Sequence, residues 1–241
     1  MAWTIYISFA GAFVAALCPK DKPVLARWFA LAVALAGFAI AVAGYAAGFG
    51  QERQVFVDVL WVPSMGIHYL LVADGISRVL VLLTGIASVS GVLFSWNVEL
   101  RTNQFFAFYL ALIAGVYGVF LSGDFFLLFV FYEIAIVPKY FLIAIWGSTR
   151  REYGAMKLAI YSFVGSAMVL IGLLAAYVTA GTHSTALADL AQARMPDILQ
   201  MWCFRWSLWA SGFSPACGPS IHGRLPATSP RPPPLPCCSP A

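Results

Sequence analysis

Glu133 stands alone in the apolar run Phe125–Trp146, with Pro138 five residues behind it. A carboxylate at mid-bilayer costs at least ~2.5 kcal/mol on insertion scales, and such a residue by default marks an ion or proton path. Two lysines share the interior with it, Lys139 and Lys157. At 1.5 Å of rise per helical residue, Glu133 lies roughly 20 Å from the Trp146 end, Lys139 roughly 10 Å and Lys157 roughly 5 Å. Glu133 and Lys139 are six positions apart on one helix, about 120° around its axis, so they do not face each other. Lys157 is roughly 15 Å shallower than the acid by the same rise. Glu133 therefore lacks a partner among these charges. Low-dielectric surroundings disfavour the charged form of a carboxyl. The acid calls for a lysine on another helix, of this chain or of a neighbour. A couple that pairs and parts can move a proton.

Simpler roles compete with that chemistry. Lys139 and Lys157 can snorkel to the membrane surface. Glu133 can be a neutral carboxyl bonded to a backbone carbonyl. Asp124 suits the N-cap of the helix that follows it. Pro138 frees the carbonyl of Ile134 and can admit water beside the acid. The histidines, His68, His183 and His222, are isolated, and a surface or loop role fits each. Cys18, Cys203, Cys217, Cys237 and Cys238 form neither a metal-spaced pair nor a secreted disulfide framework. No Gly-rich phosphate loop and no His-carboxylate cluster occurs, so no metal or cofactor is expected.

The elements that must hold these groups follow from hydrophobicity. The chain is 61% hydrophobic and 10% charged, against roughly 25% charged in soluble domains. It reads as an all-α membrane protein, about six transmembrane helices in a bundle followed by an irregular Pro-rich tail. The predicted spans are Trp3–Cys18 (short), Trp28–Gly48, Ile76–Trp96, Phe105–Leu121, Phe125–Trp146 and Met156–Ala180. The mixed, aromatic segment Gln51–Val72 reads as an interfacial loop or half-helix. Lys20, Lys22, Arg27, Arg101, Arg150 and Arg151 fall on one side, against Arg53 and Arg78 on the other. The positive-inside rule then puts the N-terminus outside. Gly115 and Gly118, with Gly165, Ser166 and Gly172, suit close helix packing. The net charge of +4 is spread out and implies no nucleic-acid partner.

Three stretches carry a family resemblance. They are Val130-Phe-Tyr-Glu-Ile-Ala-Ile-Val-Pro-Lys139 within Ser122–Gly147, Arg151-Glu-Tyr-Gly-Ala-Met-Lys-Leu-Ala-Ile-Tyr-Ser-Phe-Val-Gly-Ser166, and Tyr69-Leu-Leu-Val-Ala-Asp-Gly-Ile-Ser77. They resemble antiporter-like subunit M (chain 4 type) of the proton-pumping NADH:quinone oxidoreductase, complex I. The likeness covers about residues 60–200. It implies that Glu133 is the family's fifth-helix glutamate in a proton-transfer chain, partnered by a lysine two helices later. It implies that Lys157 matches a basic position at the start of the sixth helix. It implies no redox centre in this subunit, with quinone and NADH met only through partner subunits. The expected partners are other membrane subunits and the bilayer, and the expected location is the plasma membrane. Mrp-type antiporters and membrane-bound hydrogenases share these helices and are the alternative reading.

The expected divisions are 1–104 for helices one to three, 105–200 for the start of the translocation domain, and 201–241 for the tail. The family continues to about fourteen helices, so this reads as an incomplete copy, or as a non-functional fragment that pumps nothing alone. Residues 214–241 hold nine prolines and no acid. Permitted codons for Ala216–Gly223, read from the third base, give Leu-Trp-Pro-Phe-His-Thr-Trp. That resembles the family's seventh-helix signature, so the tail reads as a slip of reading frame.

Overall fold

The computed structural model describes residues 1–17, 23–48, 53–63, 66–147, 151–180, 185–187, 201, 202 and 205. Six helices form among them: α1 (Trp3–Leu17), α2 (Pro23–Ala47), α3 (Gly75–Phe94), α4 (Thr102–Leu121), α5 (Phe125–Trp146) and α6 (Arg151–Ala180). The last five contain stretches long and apolar enough to cross a membrane; α1, at 15 residues, is shorter. The chain is a multi-pass membrane protein. Exposed apolar side chains line its outer faces, among them Trp3, Phe13, Leu83, Phe94 and Phe163. In a bilayer such faces meet lipid, which is as apolar as they are.

Successive helices alternate direction. One core cluster joins Met1 and Ile5 of the chain start, Ala41 of α2, Val81 of α3, Tyr117 and Leu121 of α4, and Leu127 and Phe131 of α5. A second joins Ala12 and Ala15, Ala30 and Val33, Val92, and Phe106 and Leu110. The first marks one end of the bundle and the second the other. Arg27, Arg101 and Arg151 sit at the second end and Arg53 and Arg78 at the first, which is the grouping read from the loops. Lys20, Lys22 and Arg150 lie outside the described residues.

The segment expected to be an interfacial loop or half-helix is instead an antiparallel hairpin, β1 (Arg53–Val62) paired with β2 (Ile67–Asp74). Both strands are rich in β-branched and aromatic residues, which suit a pleated surface. The chain turns back through Gly66, whose φ of 64° a glycine adopts freely. A lone two-stranded hairpin is marginal in water. This one is anchored: Leu70, Leu71, Val72 and Ala73 of β2 are themselves buried, and Gly123 N–H donates to Leu70 O at 2.8 Å. Such pairing is non-local, and a hydropathy window cannot register it.

Two helices start five residues earlier than expected. α2 begins at Pro23 rather than Trp28, and α6 at Arg151 rather than Met156. Proline is tolerated in the first turn of a helix, where its missing N–H is not needed. Arg27 thus lies in the first turns of α2, where its guanidinium donates to Val98 O at 3.2 Å. Arg78, expected merely at a helix start, is 5% exposed and donates to Gly48 O at the end of α2. A cation there favours the negative end of that helix.

Candidate functional site

Asp124 starts α5. Its Oδ1 accepts from the backbone N–H of Phe126 at 2.8 Å and of Leu127 at 3.4 Å, meeting two of the donors a helix start leaves open. The predicted cap is therefore present. The same carboxylate also does what the sequence did not reveal. Its Oδ2 accepts from His68 N–H at 3.2 Å and from the Thr185 hydroxyl at 2.6 Å. Asp124 is 1% exposed and joins the hairpin, α5 and the segment after α6. Phe125 N–H donating to Thr185 O, and Leu187 N–H donating to Gly123 O, complete that junction.

The other end of α5 is held by aromatic rings. Trp146 Nε1–H donates to Leu100 O at 2.7 Å, and Phe108 stacks on Phe141 at 5.1 Å. Between the ends, α5 lies close on α4. A side chain added at Gly115 would come within 2.9 Å of Ala135 Cβ, and one at Gly118 within 2.3 Å of the Phe131 ring. The small residues of α4 thus serve packing. Nothing lies within 4 Å of a side chain placed at Gly172 of α6, so that glycine does not mark a close approach.

This clamping fixes how Glu133 is turned. Leu127, Phe131, Ala135 and Pro138 are buried and fall on one stripe of α5, the stripe against α4. At about 100° per residue, Glu133 lies roughly 160° around from it, on the flank where Ile136 is also buried. Glu133 is partly buried, and its Oε1 is buried without a hydrogen-bond partner among the described residues. A buried polar atom left unpaired is a costly arrangement that a folded chain keeps for a reason. Pro138, inside α5 and one turn on, leaves the Ile134 carbonyl without its helical donor.

The two lysines do not meet the acid. Among the described residues no ion pair joins Glu133 to Lys139 or Lys157. Lys139 is partly buried further along α5. Lys157 is six residues into α6, roughly 9 Å along it, deeper than the sequence suggested because the helix starts earlier. Its ammonium lies over the Tyr161 ring at 5.6 Å, a cation–π contact between residues one turn apart. That i, i+4 spacing is visible in the sequence. Ala155, Ser162 and Ser166 form the buried stripe of α6, and Lys157 lies roughly 160° around from its middle. His68 Nδ1–H donates to Asp58 Oδ1, 2.8 Å away, at the exposed edge of the hairpin. His183, His222 and the five cysteines lie outside the described residues, as does nearly all of 201–241.

Residues 122–215 match the family described as NADH:quinone oxidoreductase/Mrp antiporter, TM. That stretch contains Asp124, Glu133, Lys139 and Lys157. The chain is 36% identical over 214 residues to NAD(P)H-quinone oxidoreductase chain 4 3 of Picosynechococcus sp., covering 87% of this chain and 39% of the relative. It is 35% identical to NAD(P)H-quinone oxidoreductase chain 4 of Synechococcus sp., covering 83% and 37%. The chain thus spans about two fifths of the length of these relatives. In fold it resembles a chain of respiratory complex I from Thermus thermophilus with bound NADH (TM-score 0.77, 20% identity, 88% of this chain and 43% of that one). It also resembles a chain of the Mrp complex from Dietzia sp. (TM-score 0.68, 23% identity, 88% and 41%).

Proposed function

We propose that this chain, a member of the family of antiporter-like membrane subunits typified by chain 4 of NADH:quinone oxidoreductase, takes part in proton translocation coupled to quinone reduction. The observation that carries this is Glu133, partly buried at depth in a proline-containing helix, with its Oε1 buried and unpaired among the described residues. In this reading Glu133 is the proton-exchanging group. Its cationic partner lies outside the described residues, since neither Lys139 nor Lys157 reaches it. Lys157, turned away from the packed stripe of α6, is a second member of the path, and Lys139 a weaker third. Redox chemistry belongs to partner subunits, and this subunit moves charge in response. The bilayer, other membrane subunits, and through them quinone and NADH are its partners.

The arginines gathered at the α2, α4 and α6 starts support an orientation with that end in the cytoplasm and the N-terminus outside a plasma membrane. The divisions 1–104, 105–200 and 201–241, the last out of frame, stand as part of this proposal. Sequencing the gene around codon 200 tests the last division, which fails if no one-base shift opens a long hydrophobic frame. The family description also names the Mrp antiporter, and the alternative reading is a cation/proton antiporter subunit driven by ion gradients. An antiporter role would show itself as proton movement on imposing a cation gradient without NADH.

The test is Glu133→Gln in the membrane complex the chain joins. Inside-out vesicles are driven with NADH and their internal acidification is followed with a protonophore control. The expected result is a loss of most acidification per NADH oxidised. Acidification at the parent's ratio would overturn the role of Glu133.

A further inference from the structure

The heights of α5 and α6 are matched where one ends and the other begins. The Arg151 guanidinium donates to Ile145 O at 3.0 Å, and a side-chain carbon at Gly147 would lie 2.9 Å from Arg151 Cβ. Positions 147 and 151 therefore stand level, and the two helices leave that end side by side in opposite chain directions. Glu133 is fourteen residues before Gly147, roughly 21 Å along α5. Fourteen residues beyond Arg151, the same rise reaches Gly165, with Ser166 roughly 1.5 Å further on and Ser162 roughly 4.5 Å short. Both serines are buried, at 4% and 3% exposed. Among the described residues α6 packs chiefly on α5, so its buried stripe faces that helix. On α5, Ile136 is 5% exposed although it lies off the stripe that meets α4, so it faces α6. Glu133 is one turn from Ile136 and about 60° around the helix from it, on the same flank.

Side-chain direction chooses between the serines. Each Cα–Cβ bond tilts towards its own helix's N-terminus. Glu133 therefore leans towards the Phe125 end and Ser166 towards the Arg151 end, so the two converge, while Ser162 leans away. We infer that Ser166 is the polar neighbour that positions the Glu133 carboxyl, a role that rests on the proton-exchange reading above. Its hydroxyl suits both protonation states. Ser166 donates to Phe163 O at 3.1 Å, which leaves its oxygen lone pairs to accept. A protonated Glu133 donates its O–H to Ser166 Oγ in that arrangement. When the carboxyl gives up its proton along the path, the hydroxyl turns and donates to the carboxylate, a charge-assisted bond stronger than the one it leaves. Phe163 O keeps the helical N–H four residues on. Ser166 neither gains nor loses a proton. Glu133 Oε1, buried and unpaired among the described residues as the side chain now stands, gains a partner by rotating towards α6.

The contact is read on the full chain in lipid bilayers, by infrared difference spectra between acidic and alkaline buffer. The protonated carboxyl band of Glu133 is identified by its absence in Glu133→Gln. Ser166→Ala should move that band. Ser162→Ala, the same deletion on the same buried stripe, should leave it in place. A band unmoved by Ser166→Ala overturns the contact. In the NADH-driven vesicles described above, Ser166→Ala should lower acidification per NADH oxidised about threefold or more, the worth of one hydrogen bond, and Ser162→Ala should not. The parent's ratio in Ser166→Ala overturns the positioning role. A further measurement needs no serine variant. With serine and glutamate carbons labelled, solid-state NMR of the parent chain should show a through-space cross-peak between a serine Cβ and the Glu133 carboxyl carbon, and its absence overturns the contact. These failures are distinct from failure of the proton-exchange reading, which falls when Glu133→Gln itself acidifies at the parent's ratio.

Discussion

Gly115 of α4 rests against Ala135 of α5 so closely that a methyl at 115 would sit 2.9 Å from the Ala135 methyl. Ala135 is two residues from Glu133, roughly 200° around the same helix. The contact therefore decides which flank the acid occupies. It is a packing contact with a functional consequence.

Gly115→Val should force α4 and α5 apart and destabilise the bundle by about 1–3 kcal/mol, as overpacking does. The check is reversible unfolding in detergent or bicelles. Moving the methyl across, with Gly115→Ala and Ala135→Gly together, should recover part of the loss because the closest of the three contacts disappears.

Asp124→Ala removes a helix cap and strands the His68 N–H and the Thr185 hydroxyl. The combined effect should be about 2–4 kcal/mol. Amide hydrogen exchange should quicken at His68, Phe126 and Leu127 together. Asp124→Asn keeps an acceptor oxygen and should retain much of the protection. If His68 stayed as protected as in the parent, the junction between hairpin and α5 would not run through this carboxylate.

Arg101 precedes α4 with φ 48° and ψ 49°, the left-handed region, and makes no side-chain cap bond. That conformation disfavours a residue with a Cβ by about 1–2 kcal/mol. Arg101→Gly should raise stability by about 0.5–1 kcal/mol, part of the relief being offset by the added freedom of the unfolded chain. Arg101→Ala should not. Thermal melts of the two variants side by side make the comparison.

Burial, and then the hydrogen bond and proximity of the Tyr6 hydroxyl at 3.1 Å, raise the Tyr69 phenol above its ordinary value. The folded state thus holds this proton more tightly than the unfolded chain. Its contribution is whole below the unfolded value of about 10 and is lost as pH rises beyond it towards the shifted one. The hairpin should loosen in strong alkali, seen as faster exchange of β2 amides, and Tyr69→Phe should flatten that dependence. A parent profile as flat as the variant's would remove Tyr69 as its origin.

Glu133→Gln should leave the fold almost untouched, within about 0.5 kcal/mol, because Oε1 has no partner to lose among the described residues. A large drop in melting temperature would reveal a structural role for the carboxyl and would argue against the proton-exchange reading.

Much was legible without coordinates. Phe125–Trp146 is helical over the residues its apolar length implied, and Asp124 caps it as its residue type suggested. Those properties are local: bilayer thickness sets the length of an apolar run, and an N-cap needs only the next three residues. That Glu133 finds no partner in Lys139 followed from helical geometry alone. The hairpin was not legible, because its hydrogen bonds join Arg53–Val62 to Ile67–Asp74 and hydropathy carries no pairing information. The tie of Asp124 to Thr185, 61 residues away, was hidden for the same reason. The rotation of α5 against α4, the burial of Arg78 and the Tyr117 hydroxyl left unpaired among the described residues were decided by side chains brought together from distant positions. Sequence fixes which groups are available; only packing determines which of them are left without a neighbour.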